Sequence, residues 1–271
     1  MSKDPGCAIV TGAGRGVGKA IALALAEKGT AVACVARTER EISQVSEQIR
    51  DAGGRAGHYP TDICDLAQVL GTVDRVLGDF GRIDVLINNA GSFYALGPVA
   101  EVDADKWWQD VTINLLGTFN CCQAVLPHMI ERKTGRIITL TGGGTGNPLP
   151  FGSGYASSKA AVARFTECLA HEVIDHGIYV YGMGPGLVRT RLTEYHVFSA
   201  EGQKYLPMMK GLFDGEDRYP PDKAAALAVF LAGLECRALS GRLLSAGTDT
   251  DELLARADAI AAEDRHQLRI T

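Results

Sequence analysis

Along the chain, short apolar runs of strand length alternate with longer stretches whose apolar positions recur at helical spacing. Runs at Cys7–Val10, Ala31–Ala36, Gly57–Pro60, Val85–Ile87, Arg136–Leu140, Tyr179–Met183 and Leu243–Ser245 predict strands. Between them, Lys19–Lys28, Asp65–Leu77, Trp107–Arg132, Tyr155–Asp175 and Asp222–Leu234 predict helices. A further helix starts at Thr38, where Glu41 three residues on gives the spacing of a capping box. Strands that are apolar on both faces, separated by helices, imply a parallel sheet covered by helices on each side.

Two segments break the alternation. Arg191–Arg218 is long for a connection and rich in Tyr, Phe, Met and Leu, so it reads as a lid. Asp249–Thr271 carries Leu253, Leu254, Ala257, Ile260 and Ala261 at helical spacing. It reads as a helical extension docked on its own body or on a neighbouring subunit. No linker or repeat interrupts residues 1–248, which read as one α/β domain.

Composition narrows the function classes. The 271 residues, 46% hydrophobic and 22% charged, suit a single globular domain. A net charge of −5 without a basic run argues against nucleic acid or an anionic membrane surface as partner. The longest apolar stretch, Ala224–Leu234, falls well short of the roughly 20 residues a membrane span needs, and the first residues lack a signal-peptide core. The 7 cysteines are odd in number and form no Cys-x-x-Cys or Cys/His cluster. They read as reduced thiols of a cytoplasmic protein, without disulfides or a metal site.

The first strand runs into Thr11-Gly12-Ala13-Gly14-Arg15-Gly16-Val17-Gly18 and then directly into a helix. Strand, glycine turn and helix start together make a pyrophosphate site, because the helix end offers unpaired N–H groups and a positive dipole. The second strand ends Val35-Ala36-Arg37, with no carboxylate to hold a ribose 2′-hydroxyl. Glu39 is about the right distance on, but it lies inside the capped helix, where acids are common in the first turn. Arg15 and Arg37 instead suit a two-sided clamp on a 2′-phosphate, which predicts NADP(H).

Tyr155 and Lys159 lie four apart on a helical stretch and share one face. Tyr219 and Lys223 have the same spacing, but Pro220 and Pro221 between them forbid a helix. The residues so far, with Asp62-Ile63, Asn88-Asn89-Ala90-Gly91, Asn114 and Pro185-Gly186-x-Val188-x-Thr190, together resemble the single-domain short-chain dehydrogenase/reductase family over residues 5–248. The resemblance implies a three-layer Rossmann fold, a doubly wound seven-stranded parallel sheet. It implies that Asp62 and Ile63 meet the adenine and that Asn89, Ala90 and Gly91 lie along the cofactor. Pro185, Gly186, Val188 and Thr190 would hold the nicotinamide end.

The implied chemistry is hydride transfer between NADP(H) and a ketone or secondary alcohol. Tyr155 would be the acid/base, Lys159 its activator and Asn114 the holder of a relay water. An unperturbed tyrosine has a pKa near 10, and a neighbouring ammonium and a positive nicotinamide would favour its phenolate. One position departs from the family: the serine expected 13 residues before the tyrosine is Gly142. Thr141 is the nearest residue to supply that hydroxyl, ahead of Thr145 and Ser153. An alternative reading is an NADP(H)-binding sensor or scaffold that lost catalysis through Gly142. Apolar side chains at Phe93, Tyr94, Leu149, Phe151, Leu192, Tyr195, Phe198, Met208, Met209 and Phe213 suggest a medium-sized, largely apolar substrate, with His196 read as a surface residue of the lid. The helices Trp107–Arg132 and Tyr155–Asp175, apolar on more than one face, are expected to pair into a homodimer or homotetramer.

Overall fold

The computed structural model describes residues 6–213 and 220–269. Its strands are β1 (Cys7–Thr11), β2 (Ala31–Ala36), β3 (Ala56–Pro60), β4 (Val85–Asn88), β5 (Gly135–Leu140), β6 (Ile178–Gly184) and β7 (Leu243–Ser245). Among the described residues they form one all-parallel sheet in the order β3-β2-β1-β4-β5-β6-β7. The chain thus has the Rossmann architecture, with order reversing between β1 and β4. A crevice opens beyond the strand C-termini at such a switch.

The two-residue period of the strands divides the core into two halves. Ala8, Val10, Val32, Cys34, Ile138, Leu140, Tyr181 and Met183 face one side. There they meet α1 (Gly16–Glu27), α2 (Glu39–Asp51) and α9 (Asp222–Ala232). Cys7, Ile9, Ala33, Val35, Ile137 and Val180 face the other side. They bury against α3 (Leu66–Phe80), α5 (Gly117–Arg132) and α6 (Ser153–Val173). After β7 come α10 (Thr250–Ala255) and α11 (Ala257–Ala262), whose Leu253, Ala257 and Ile260 bury in the first half. Among the described residues no helix is long and apolar enough to cross a membrane.

Three expectations need correction. The stretch read as one helix from Trp107 begins at Ala104, capped by Asp103 Oδ1 accepting from the Lys106 N–H at 3.0 Å. It is also divided, into α4 (Ala104–Val111), a π-helical turn (Thr112–Leu116) and α5. The Gly117 N–H reaches back five residues to the Thr112 carbonyl, and this wider turn carries Asn114. Thr38 makes no side-chain cap bond on α2, and Glu41 is taken instead by Arg15, a full opposite charge held by two hydrogen bonds of 2.9 Å. Finally, α1 starts at Gly16 rather than Lys19, because the glycine turn feeds straight into it.

A charge cluster ties the strand N-termini together. Asp84 accepts from the Cys7 N–H at 2.9 Å, Arg82 Nε at 2.8 Å and Arg132 Nη2 at 3.1 Å. Burial alone would raise its pKa, but Arg82, the Cys7 amide and Arg132 outweigh that and hold it below the ordinary carboxylate value. A depressed folded-state pKa gives stability that is complete above the unfolded value near 3.9 and lost as pH falls through the folded value. Asp84→Asn is therefore expected to cost about 1–3 kcal/mol at neutral pH and to flatten the acid limb of the stability curve. Thermal melts from pH 7 down to 2 check this, and an unchanged melting profile overturns it.

Candidate active site

The switch point is built by Thr11 and Asn89. The Thr11 hydroxyl donates to Ile87 O at 3.2 Å and accepts from the backbone N–H of Asn89 and Ala90, both at 3.0 Å. Asn89 Nδ2 returns to Thr11 O at 2.8 Å and Gly12 O at 3.3 Å. This leaves no room for a side chain at Gly12 or Gly18. A Cβ on Gly18 would collide with Gly12 O and Asn89 Nδ2, and Gly12 itself has φ +65°. Arg15, at the N-cap of α1, makes no side-chain cap bond, so the helix presents its first N–H groups to the crevice. A bare glycine cradle at a helix start fits a dinucleotide pyrophosphate.

A cleft of about 560 Å³ opens above this junction. Gly12, Arg15, Gly16, Val17, Gly18, Arg37, Asp62, Ile63, Asn89, Ala90, Gly91, Pro185, Gly186, Val188 and Thr190 all line it, as do Thr141, Tyr155 and Lys159. Asn114 does not. It is fully buried, with Nδ2 donating to Ser92 O and Ser158 Oγ, both at 2.9 Å, and Oδ1 accepting from the Ser92 N–H at 2.9 Å. Its side chain ties the loop after β4 to α6. The Thr190 hydroxyl caps α7 (Arg191–Phe198) in a reciprocal pair with Thr193, and α8 (Ala200–Tyr205) follows it.

Along the wall formed by the end of β2, Arg37 is exposed and makes no hydrogen bond or ion pair among the described residues, while Arg15 is held by Glu41. Glu39 does not line the cleft, and its carboxylate lies 3.9 Å from His58. Beyond the end of β5, Lys159 Nζ donates to Leu140 O at 2.8 Å and lies 5.8 Å from the centroid of the Tyr155 ring. Burial, with a smaller contribution from Asp110, pushes the Tyr155 phenol up to about 12. Burial pulls the Lys159 ammonium down to about 8. Of the hydroxyls considered near Gly142, Thr141 lines the cleft. Thr145 is spent on Gly142 and Ser153 accepts from Trp107, and neither of these two lines the cleft.

The outer wall is apolar. Phe93, Tyr94, Leu149, Leu192, Met208 and Met209 line it, whereas Phe151, Tyr195, Phe198 and Phe213 do not. The part of the expected lid at 214–218, and Tyr219, lie outside the described residues. His196 is not a surface residue: it is 4% exposed, lines the cleft and donates from Nε2 to Phe93 O at 2.9 Å. Burial lowers its pKa and keeps the ring neutral. Its ring meets Phe93 of the apolar satellite core edge-on at 4.3 Å.

Sequence reasoning missed Asp110. This buried carboxylate of α4 accepts from Ser92 Oγ, from the Tyr94 N–H at 2.9 Å and from the Ala95 N–H at 2.8 Å, and so fixes the loop that carries Phe93. Its position four residues before Asn114, one helical turn away, was the available signal.

The short chain dehydrogenase family model matches residues 6–198. A short chain dehydrogenase of Pseudocercospora fijiensis is 32% identical over 93% of this chain and 83% of its own length. The structure of NAD+-bound xylitol dehydrogenase superposes with a TM-score of 0.81 at 29% identity, covering 90% of this chain and 98% of that one. A gluconate 5-dehydrogenase from Burkholderia cenocepacia, solved with NADP and tartrate, gives 0.78 at 31% identity, covering 89% and 93%.

Asp110→Asn puts an amide against backbone N–H donors that need an acceptor. It is expected to lower the melting temperature and to loosen the Ser92–Ala95 loop. Hydrogen exchange of the Tyr94 and Ala95 amides reads this directly, and unchanged protection counts against the anchoring role.

Proposed function

The chain belongs to the short-chain dehydrogenase family, and on that premise we propose that it uses NADP(H) on a medium-sized, largely apolar ketone or secondary alcohol, with Tyr155 as acid/base. Membership makes it an oxidoreductase acting on the CH–OH/C=O pair. The observation that carries the finer reading is the placement of Tyr155, Lys159 and Thr141 in one cleft with the glycine cradle.

The bound nicotinamide supplies or removes the hydride. The chain handles the proton. With the phenol at about 12, Tyr155 is protonated at neutral pH and is poised to donate to a developing alkoxide. Thr141, 7% exposed and facing the cleft, is placed to donate a second hydrogen bond to the substrate oxygen. Lys159, buried beside them, adds positive charge that favours the transfer.

Two features support NADP(H). Arg37 is exposed at the wall without a hydrogen-bond or ion-pair partner among the described residues, and Arg15 lines the same cleft paired with Glu41, while the carboxylate of Glu39 lies 3.9 Å from His58. Related structures hold NAD+ in one case and NADP in another, so the choice rests on these residues. The apolar outer wall, whose one ionisable imidazole is kept neutral, supports an uncharged substrate. Seven free cysteines, four of them buried, support a reducing compartment. Exposed Leu116 and Phe119, beside and on α5, support the pairing of subunits, which light scattering reads out. A sensor that has lost catalysis is not favoured, since both Tyr155 and Lys159 stand in the cleft.

Turnover of a ketone panel with NADPH is expected to fall by at least roughly 100-fold in Tyr155→Phe. Thr141→Val is expected to lose roughly 100-fold in kcat, and full turnover in that variant removes Thr141 from its role. NADPH is expected to bind roughly tenfold or more tightly than NADH. Arg37→Asp is expected to abolish that preference, and equal affinity in the wild type overturns the cofactor reading.

A further inference from the structure

Tyr155 is held from two sides, and one of them is a residue with no side chain. On the face of the ring lies Phe93, stacked with centroids 4.3 Å apart and planes 12° from parallel. Phe93 is fixed in turn by His196, whose ring meets it edge-on at 4.3 Å and whose Nε2 donates to its carbonyl. At its hydroxyl tip, the phenol reaches the backbone of Gly142. A Cβ built there collides with Tyr155 Oη and lies 2.9 Å from Cζ.

Neither side has slack. Thr145 Oγ1 donates to Gly142 O at 2.7 Å and accepts from the Gly142 N–H at 3.2 Å. The Thr141 N–H is tied to Met183 O at 2.9 Å. The segment that carries Gly142 is therefore pinned to the end of the sheet. Swinging of the ring toward Phe93 is limited as well, because Phe93 covers that face and Asp110 anchors the loop of Phe93.

We propose that Gly142 is a positioning residue for Tyr155: the space left by its missing side chain is the seat of the phenol hydroxyl. A side chain of any size at 142 must push the hydroxyl out of line with the cleft or force the β5 loop from its bonds. Gly142 is then a working part of the site, with the carbonyl-polarising hydroxyl supplied next to it by Thr141. The inference rests on the reading of Tyr155 as the acid/base.

The test uses Gly142→Ala, which adds one methyl, and Gly142→Ser, which installs the residue the family resemblance expects. Both are expected to lower kcat by roughly 100-fold, the scale of a misplaced reacting group, while NADPH binding by fluorescence titration stays unchanged. Gly142→Ser with turnover equal to or above wild type overturns the proposal. A thermal cycle tests the contact without turnover. Gly142→Ala should lower the melting temperature by about 2–4 °C or more, and this drop should shrink in a Tyr155→Phe background, where the oxygen is gone. Equal drops in the two backgrounds overturn the seat. A wild type that reduces no ketone defeats the functional reading, and the thermal cycle then still decides whether Gly142 seats Tyr155.

Discussion

The hydroxyl of Thr11 joins the two strands at which the sheet order reverses, and the cleft depends on how that hydroxyl is satisfied. Its proton goes to β4, and its lone pairs take the two amides that lead the chain away from β4. Asn89 then closes the circuit onto the carbonyls of Thr11 and Gly12. Thr11 and Asn89 thus bond the backbone where the strands part, although the buried Oδ1 of Asn88 at the end of β4 has no hydrogen-bond partner among the described residues. The same closeness excludes a Cβ at Gly12 and Gly18. The glycine turn is therefore a packing requirement of the junction first, and its openness to phosphate follows from it.

The cleft above this junction has linings of two electrostatic kinds. Arg15, Arg37, Glu41, Asp62 and Arg191 supply its charged lining, with Glu41 paired to both Arg15 and Arg191, while Phe93, Tyr94, Leu149, Leu192, Met208 and Met209 supply its apolar lining. Tyr155 and Lys159 line it as well. Burial acts on them in opposite directions, since it favours the neutral form of each. The phenol rises to about 12 and the ammonium falls to about 8. Isolated tyrosine and lysine differ little in acidity. Here burial parts the two, and the ammonium becomes the stronger acid of the pair.

Most of the fold was legible because its signals are local. Strands buried on both faces must be apolar throughout, and β1, β2 and β5 appear as such in the sequence. The glycine turn and the Tyr155–Lys159 spacing are likewise short patterns set by one turn or one helical repeat. What escaped depends on partners distant in sequence. Thr38 followed by Glu41 has the right spacing for a cap, yet Arg15, 26 residues away, offers the carboxylate a stronger partner. His196 was read outward from the polarity of its side chain, but a backbone carbonyl 103 residues earlier satisfies it inside. Asp110 is a surface acid by composition and an anchor only once the Ser92–Ala95 loop is folded over it.

The π-helical turn at Thr112–Leu116 shows how such a long-range demand reshapes a local element. Nothing in Thr-Ile-Asn-Leu-Leu opposes an ordinary α-helix. The side chain of Asn114, however, must meet both the loop after β4 and Ser158 on α6, through three hydrogen bonds of 2.9 Å. Gly117 just beyond is packed so closely on Ile63 that a Cβ there would collide with the isoleucine side chain. A helix pinned at Asn114 and at Gly117 has its register fixed on both sides of one turn. Reaching back five residues instead of four absorbs the mismatch, at a place where such bulges concentrate in other functional sites. Helical period alone could not reveal this, because the constraint resides in the elements that the helix touches.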